Sequence, residues 1–297
     1  MTALPTDHWR DRATAHGARL FVKPSLALPL PWVWHRAMFG LAGRFRPMAP
    51  GITRKSVTLG GRPGLMFAPR APDRRLMWVH GGGFCVGSPR TYAGLLSHLA
   101  RKANAVVLAP SYRLAPEHRF PAACDDVDAA LIDAEAHRPD LGPLFLGGDS
   151  AGGCLVLGAM ADGLARGQRY GALLLASPAG MIDVTRPVPP ANDYLFPVSI
   201  LRRIARDYAA GHDPANPRLS PVHADFTGAP PALIHCARGE LLEEDSDTIA
   251  DSLRAAGGDV TVEKARRMVH AWHFLAGSLP VADIAVARMA DFLRAHS

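Results

Sequence analysis

The stretch from residue 144 to residue 153, read as L-F-L-G-G-D-S-A-G-G, constrains the fold more than any other part of the chain. Its apolar start is typical of a buried strand, and the small and apolar residues after Ser150 are typical of a buried helix. A serine between a strand and a helix is held in a strained conformation, which the small residues Gly148, Ala151 and Gly152 allow. The sequence therefore predicts a strand, a sharp turn and a helix, with the Ser150 hydroxyl on the turn near the positive end of the helix dipole.

The rest of the chain alternates between strand and helix patterns. Further strands are predicted over residues 76–79, 105–109, 172–176, 232–237 and 260–262, and further helices over 91–102, 122–137, 247–256 and 281–295. A hairpin pattern over 52–67 precedes them. One face of a short helix near the N-terminus is predicted to carry Trp32, Trp34, Met38 and Phe39. Together these patterns predict an α/β fold with a mainly parallel sheet covered on both faces.

Composition excludes several classes of protein. The 297 residues carry a formal net charge of +6, but the basic residues are scattered pairs such as Arg74-Arg75, so we expect no nucleic-acid partner. The four cysteines lie far apart, without the paired spacings of zinc or redox sites, and favour a reducing, cytoplasmic compartment.

The N-terminal part of the chain is apolar but does not resemble a membrane span. No signal-peptide pattern is present at the start, and charged residues and prolines interrupt the apolar run from residue 20 to residue 39. We therefore expect no stable membrane insertion. The run could lie on a membrane or cover an apolar pocket.

A second chemical signal is His80-Gly81-Gly82-Gly83-Phe84, which directly follows the strand predicted at 76–79. Consecutive glycines let the backbone approach a ligand closely and point N–H groups at it. We expect the N–H groups of Gly82, Gly83 and Ala151 to form an oxyanion hole beside Ser150.

A nucleophilic serine needs a histidine as base and a carboxylate that orients it, in the chain order serine, acid, histidine in this kind of fold. His270 and His273 both lie in the loop after the last predicted strand. Glu240 comes first after the strand at 232–237, and Glu244 and Asp245 are the alternatives. Carboxylates at a helix start are also favoured by the helix dipole alone.

Four separated blocks resemble the hormone-sensitive-lipase family of α/β-hydrolase esterases. They are H-G-G-G-F at 80–84, Y-R-L-A-P-E-H with F-P-A-A at 112–123, G-D-S-A-G-G at 148–153, and M-V-H at 268–270. The resemblance implies an α/β-hydrolase fold with a helical cap, Ser150 as nucleophile, His270 as base, and an oxyanion hole from Gly82, Gly83 and Ala151.

The resemblance also favours one acid. The family places acid and histidine about thirty residues apart with L-R-x-A-G between them; here Glu240 and His270 are thirty positions apart, with L-R-A-A-G at 253–257. The chain departs from the common pattern by having Glu240 where many members carry aspartate and Arg267 where a glycine often stands.

A cap is implied over residues 1–48 and 184–226, above a catalytic domain of 49–183 and 227–297. Substrate-binding side chains expected under this cap are Phe84, Trp32, Phe196 and Trp272. The predicted activity is hydrolysis of short-chain acyl esters, with a small-molecule ester as partner and without a metal or cofactor. The family also suggests a homodimer. The alternatives are a lactone hydrolase or lipase that uses the same residues, a lipase bound to a membrane surface, and a non-catalytic ligand-binding homologue.

Overall fold

The computed structural model describes residues 2–4, 8–183, 185–187 and 192–297. Within these residues nine strands form one sheet, in the order β1-β9-β8-β7-β6-β4-β5-β3-β2. The strands are β1 (Thr2–Leu4), β2 (Thr53–Leu59), β3 (Arg62–Ala68), β4 (Arg74–Val79), β5 (Ala105–Pro110), β6 (Leu144–Asp149), β7 (Leu173–Ala176), β8 (Ala232–Ala237) and β9 (Val260–Ala265). Neighbours pair in parallel except β2 with β3 and β3 with β5. The expected mainly parallel sheet is confirmed.

Helices cover both faces of this sheet. They are α1 (Trp9–Gly17), α2 (Lys23–Ala27), α3 (Trp32–Arg44), α4 (Ala93–Ala103), α5 (Ala122–Ala136), α6 (Ala151–Ala165), α7 (Val198–Ala209), α8 (Glu243–Ala255) and α9 (Pro280–Ala295). Along β4, Leu76 and Trp78 belong to a core cluster with residues of α4 and α9, whereas Met77 and Val79 belong to one with residues of α5, α6 and α8. This alternation follows from the two-residue period of a strand and explains why the central strands are apolar throughout.

The N-terminal helix α3 exists, but the face predicted for it is wrong. Trp32 and His35 are buried, while Trp34 is 60% and Met38 63% exposed. A step of two residues rotates a helical side chain by about 200°, so Trp32 and Trp34 point to opposite sides. Periodicity defined the helix, whereas contact with the rest of the protein selected the side that is covered.

The segment expected as a second cap, residues 184–226, contains α7, which begins at Val198 and runs on to Ala209. Residue 184 and residues 188–191 of that segment lie outside the described residues. None of the described helices combines the length and apolar character that crossing a bilayer requires.

Candidate active site

Ser150 stands on the turn between β6 and α6, with φ 52° and ψ −123°. The turn is held by two backbone hydrogen bonds, from the N–H of Ser150 to the carbonyl of Ala176 and from the N–H of Ala179 to the carbonyl of Ser150. A Cβ atom at Gly152 would overlap the carbonyl oxygen of Val79. The turn can therefore form only because a glycine stands two positions after the serine.

The loop after β4 brings backbone N–H groups to the same edge of the sheet. Gly82 has φ 121°, and a Cβ atom there would meet the carbonyl oxygen of Val86. A hydrogen bond stabilises the start of the loop, since the Tyr112 hydroxyl donates to the carbonyl of His80 over 2.9 Å. His80 itself is buried, with Nδ1 2.8 Å from the carbonyl oxygen of Gly81, so its ring supports the glycine loop.

Asp149, the residue before Ser150, is a buried anchor for this loop that sequence reasoning missed. Its carboxylate accepts hydrogen bonds from the Gly81 N–H at 3.1 Å, the Trp78 indole at 3.2 Å and the Tyr92 hydroxyl at 2.7 Å. Burial raises the pKa of Asp149 to about 6, although these hydrogen bonds lower it. Its place inside the G-D-S-A-G motif was the available signal.

His270 and Glu240 form a buried pair. Nδ1 of His270 lies 3.1 Å from Oε2 of Glu240, and Nε2 of His270 has no hydrogen-bond partner among the described residues. Burial lowers the pKa of His270, but the charge and hydrogen bond of Glu240 outweigh it, so this pKa lies above its ordinary value. The pair therefore combines an oriented imidazole with a free second nitrogen.

The alternative acids and base have other contacts. Asp245 accepts the backbone N–H of Gly180 over 2.8 Å and pairs with Arg186, while the Glu244 side chain is 64% exposed. Nε2 of His273 lies 2.9 Å from Nδ1 of His235 in the interior. Among these candidates, the structure brings only Glu240 and His270 together.

Two further buried polar residues support this pair, and sequence reasoning missed both. The Ser177 hydroxyl donates to Oε2 of Glu240 and accepts the backbone N–H of Ala271, both at 3.1 Å. Asp193 is 2% exposed and accepts the N–H of Leu241, next to Glu240, over 2.9 Å. Ser177 directly follows β7, so its position at a strand end was the signal; Asp193 lay in a segment with no motif.

A small apolar cavity of about 80 Å³ opens beside Ser150. Its wall includes Gly83, Phe84, Ser150, Ala151, Phe196, Leu201, Ile204, Ala205, Leu241 and Leu242. The Phe196 ring lies 4.7 Å from the His270 ring, and the Phe84 ring stacks on Tyr208 at 3.8 Å. The cavity is thus lined by the serine turn, the glycine loop and a ring that packs on His270.

Two of the aromatic residues expected in the pocket lie elsewhere. Trp272 is fully buried and its ring lies 4.4 Å from that of His273, within the interior. The Trp32 indole donates to Asp207 over 2.8 Å, at the contact between α3 and α7. Neither belongs to the cavity wall. Their apolar character made both tryptophans candidates for the pocket, but packing placed them in other contacts inside the protein. In the described ranges, histidine, cysteine and acidic side chains form no cluster of three or more that could hold a metal ion.

Fold and site together define the class of protein. A parallel sheet with a serine on a strained strand-to-helix turn and a buried histidine and acid behind it is the arrangement of an α/β hydrolase. The sequence matches the family described as "alpha/beta hydrolase fold" over residues 76–274.

Individual relatives narrow the class. The chain is 36% identical to an acetyl-hydrolase of Streptomyces hygroscopicus over 246 residues, 80% of this chain and 81% of the relative. It is 30% identical to an ethyl acetate hydrolase of Pseudomonas putida over 239 residues, 77% and 75% of the two chains. A crystal structure of a hormone-sensitive lipase from a metagenome library superposes with a TM-score of 0.87 at 31% identity, covering 97% of this chain and 99% of the other. The chain belongs to the hormone-sensitive-lipase family of α/β-hydrolase carboxylesterases, which confirms the resemblance seen in the sequence.

Proposed function

We propose that the chain hydrolyses short-chain acyl esters through an acyl-enzyme intermediate, with Ser150, His270 and Glu240 as the catalytic triad. The observation that carries the proposal is the buried His270–Glu240 hydrogen bond of 3.1 Å, which leaves Nε2 of His270 free. Phe196 packs on His270 and lines the same cavity as Ser150. The cavity that Ser150 lines is therefore separated from His270 by one aromatic ring, which supports a shared site.

In the proposed mechanism, Nε2 of His270 removes the proton of Ser150 as its oxygen attacks the ester carbonyl. The Glu240 carboxylate stabilises the imidazolium that forms. The N–H groups of Gly82, Gly83 and Ala151 bind the oxyanion, and each such donor contributes about 3 kcal/mol to lowering the barrier. His270 then protonates the departing alcohol, and a water molecule repeats the sequence to release the acid.

The size of the cavity supports a short acyl group. About 80 Å³ with a mainly apolar wall holds a few atoms of chain rather than a fatty acyl tail. Phe84 and Phe196 would contact this group. The relatives named acetyl-hydrolase and ethyl acetate hydrolase point the same way. We further propose residues 1–48 and 184–226 as the cap that excludes water from the site.

We also propose a cytoplasmic location and a homodimer. The four cysteines are all buried free thiols, which fits a reducing cytoplasm. A homodimer rests on the resemblance alone. Analytical ultracentrifugation tests it, since a single monomer boundary at micromolar protein would refute it.

The function is tested by initial rates on p-nitrophenyl esters of increasing acyl length. We expect a maximum at short chains and a loss of about 10⁴-fold or more in kcat for Ser150→Ala and His270→Ala. Glu240→Ala should lose about 10³- to 10⁴-fold, because the imidazole is no longer oriented. Glu244→Ala is the matched control, since this exposed side chain should leave the rate unchanged.

Two outcomes would contradict the proposal. Near-normal activity in Glu240→Ala would remove Glu240 from the triad. A wild-type protein that cleaves none of these esters would refute short-chain ester hydrolysis.

A further inference from the structure

Exposed large apolar side chains are concentrated in one short part of the chain. Of the fourteen in the described residues, eleven lie between residues 9 and 45. They are Trp9, Leu20, Phe21, Val22, Leu28, Leu30, Val33, Trp34, Met38, Leu41 and Phe45. Single exposed apolar residues are ordinary, but a concentration of this kind marks an interaction surface.

Helix α3 shows the pattern most clearly. Trp34, Met38, Leu41 and Phe45 follow each other at intervals of four, three and four residues and are 60%, 63%, 52% and 72% exposed. Residues at these intervals share one side of a helix. We call this set the α3 face. Trp32, on the opposite side of the helix, is buried, so α3 is covered on one side and presents a second apolar side to solvent.

The segment that carries the α3 face is basic, although Arg36 of α3 is paired with Glu117 at 2.6 Å. Residues 8–48 contain seven arginine or lysine residues and a single acidic residue, Asp11, which is 2% exposed. Arg44 lies within α3 next to Phe45 and is exposed. Two copies of the chain joined symmetrically through this surface would bring like charges together. Charge complementarity instead favours an anionic partner.

The buried side of α3 is joined to α7, one of the helices that border the cavity. The Trp32 indole of α3 donates to Asp207 of α7 over 2.8 Å. Arg203 of α7 donates to the carbonyl of Leu30, just before α3, over 2.7 Å. Leu201, Ile204 and Ala205 of α7 line the cavity beside Ser150. Helix α3 therefore contacts α7 on its buried side and presents the α3 face on its outer side.

We propose that the α3 face docks on the surface of an anionic lipid bilayer. Helix α3 lies in the plane of the interface, with Trp34, Met38, Leu41 and Phe45 at the boundary of headgroups and acyl chains. Arg44, exposed beside Phe45, faces the lipid phosphates. Aromatic rings flanked by cationic side chains are the composition that interfacial helices use.

The experiment is co-sedimentation of the full chain with vesicles of phosphatidylglycerol or of phosphatidylcholine. We expect binding to phosphatidylglycerol that is at least about tenfold stronger than to phosphatidylcholine and that weakens in 0.5 M NaCl. The double variant Trp34→Ser/Met38→Ser should lower the partition to phosphatidylglycerol by about tenfold or more.

The matched control is Ile132→Ser/Ile284→Ser, which removes two exposed apolar residues from α5 and α9 and should bind vesicles like the wild type. Both double variants should keep the wild-type rate on a dissolved p-nitrophenyl ester, which shows that they are folded. Vesicle binding itself needs no catalysis, so it is scored separately from the ester-hydrolysis proposal.

Three results would overturn the proposal. One is no co-sedimentation of the wild type with phosphatidylglycerol, and another is equal binding by the Trp34→Ser/Met38→Ser variant. The third is a dimer that this variant converts to monomer while neither protein binds vesicles, because the α3 face would then contact a second copy.

Discussion

Single residues in the site have pKa values moved in opposite directions by their surroundings. Burial lowers the pKa of His80 to about 4 and raises that of Asp149 to about 6. His270 is equally enclosed, yet its pKa is raised because the Glu240 carboxylate outweighs burial. His80 is thus kept neutral as a loop anchor, while His270 is prepared to hold a proton.

The pH dependence of catalysis should reveal this balance. Neutral His270 is the proposed base, so kcat/KM should fall as the pH drops through the raised pKa of His270. Glu240→Gln removes the largest of the charges that raise this pKa and leaves those of Asp193 and Asp149 against burial, which lowers it. The acid limb of the residual activity should therefore move to lower pH. The measurement is the pH–rate profile between about pH 4.5 and pH 9. An acid limb that stays in place would show that Glu240 does not set the protonation of His270.

Ser177 offers a test of how Glu240 and His270 are positioned. Ser177→Ala leaves an oxygen of Glu240 and the N–H of Ala271 without the hydroxyl that joins them, at a cost of about 1–3 kcal/mol. We expect kcat to fall about tenfold, with KM nearly unchanged and the acid limb shifted.

Ser246→Ala is the matched control. Its buried hydroxyl donates to the carbonyl of Leu242, the residue before α8, over 3.1 Å, so its loss should lower stability without lowering kcat. Equal effects of the two variants on kcat would mean that Ser177 acts only through stability.

At the scale of elements, the loop between β4 and α4 is shaped by a conformation that a side chain would block. Gly82→Ala would force a Cβ atom against the Val86 carbonyl at φ 121°. The oxyanion donors should therefore move, with a loss of about 10²-fold or more in kcat.

Gly61→Ala is the control that introduces backbone strain without pushing a neighbouring group aside. Gly61 lies in the β2–β3 turn at φ 71°, but a Cβ atom there meets nothing within 4 Å. This variant should lose about 1 kcal/mol of stability and keep its kcat. A Gly82→Ala enzyme with normal kcat would contradict the assignment of this loop as the oxyanion hole.

At the scale of the whole molecule, Trp32 is one of the side chains that join the N-terminal helices to the rest of the protein. Trp32→Ala removes a buried ring that bonds Asp207 and lies 4.3 Å from the Arg203 guanidinium. We expect a loss of about 3 kcal/mol in the free energy of unfolding and a raised KM, because α7 borders the cavity.

Trp34→Ala is the control, since this exposed ring should change stability by no more than about 0.5 kcal/mol. Urea unfolding of the two variants makes the comparison. Similar losses in both would show that the two tryptophans do not lie on opposite sides of α3.

Local steric restrictions and the spacing of apolar residues made much of this protein predictable. The β6–Ser150–α6 turn and the glycine loop depend on residues adjacent in sequence, because only small side chains fit there. The apolar runs of the central strands indicated a covered parallel sheet. Glu240 and His270 were selected by spacing within a resemblance to the family, not by local structure.

Contacts between distant parts of the chain could be decided only by the tertiary structure. Ser177 meets Glu240 and Ala271 across 63 and 94 positions, and no local pattern encodes such a distance. For the same reason the sequence could not show that Trp32 is buried and Trp34 exposed. The sequence by itself determined the elements and the reactive turn, because those depend on near neighbours. Packing decided which faces are covered and which polar groups support the histidine.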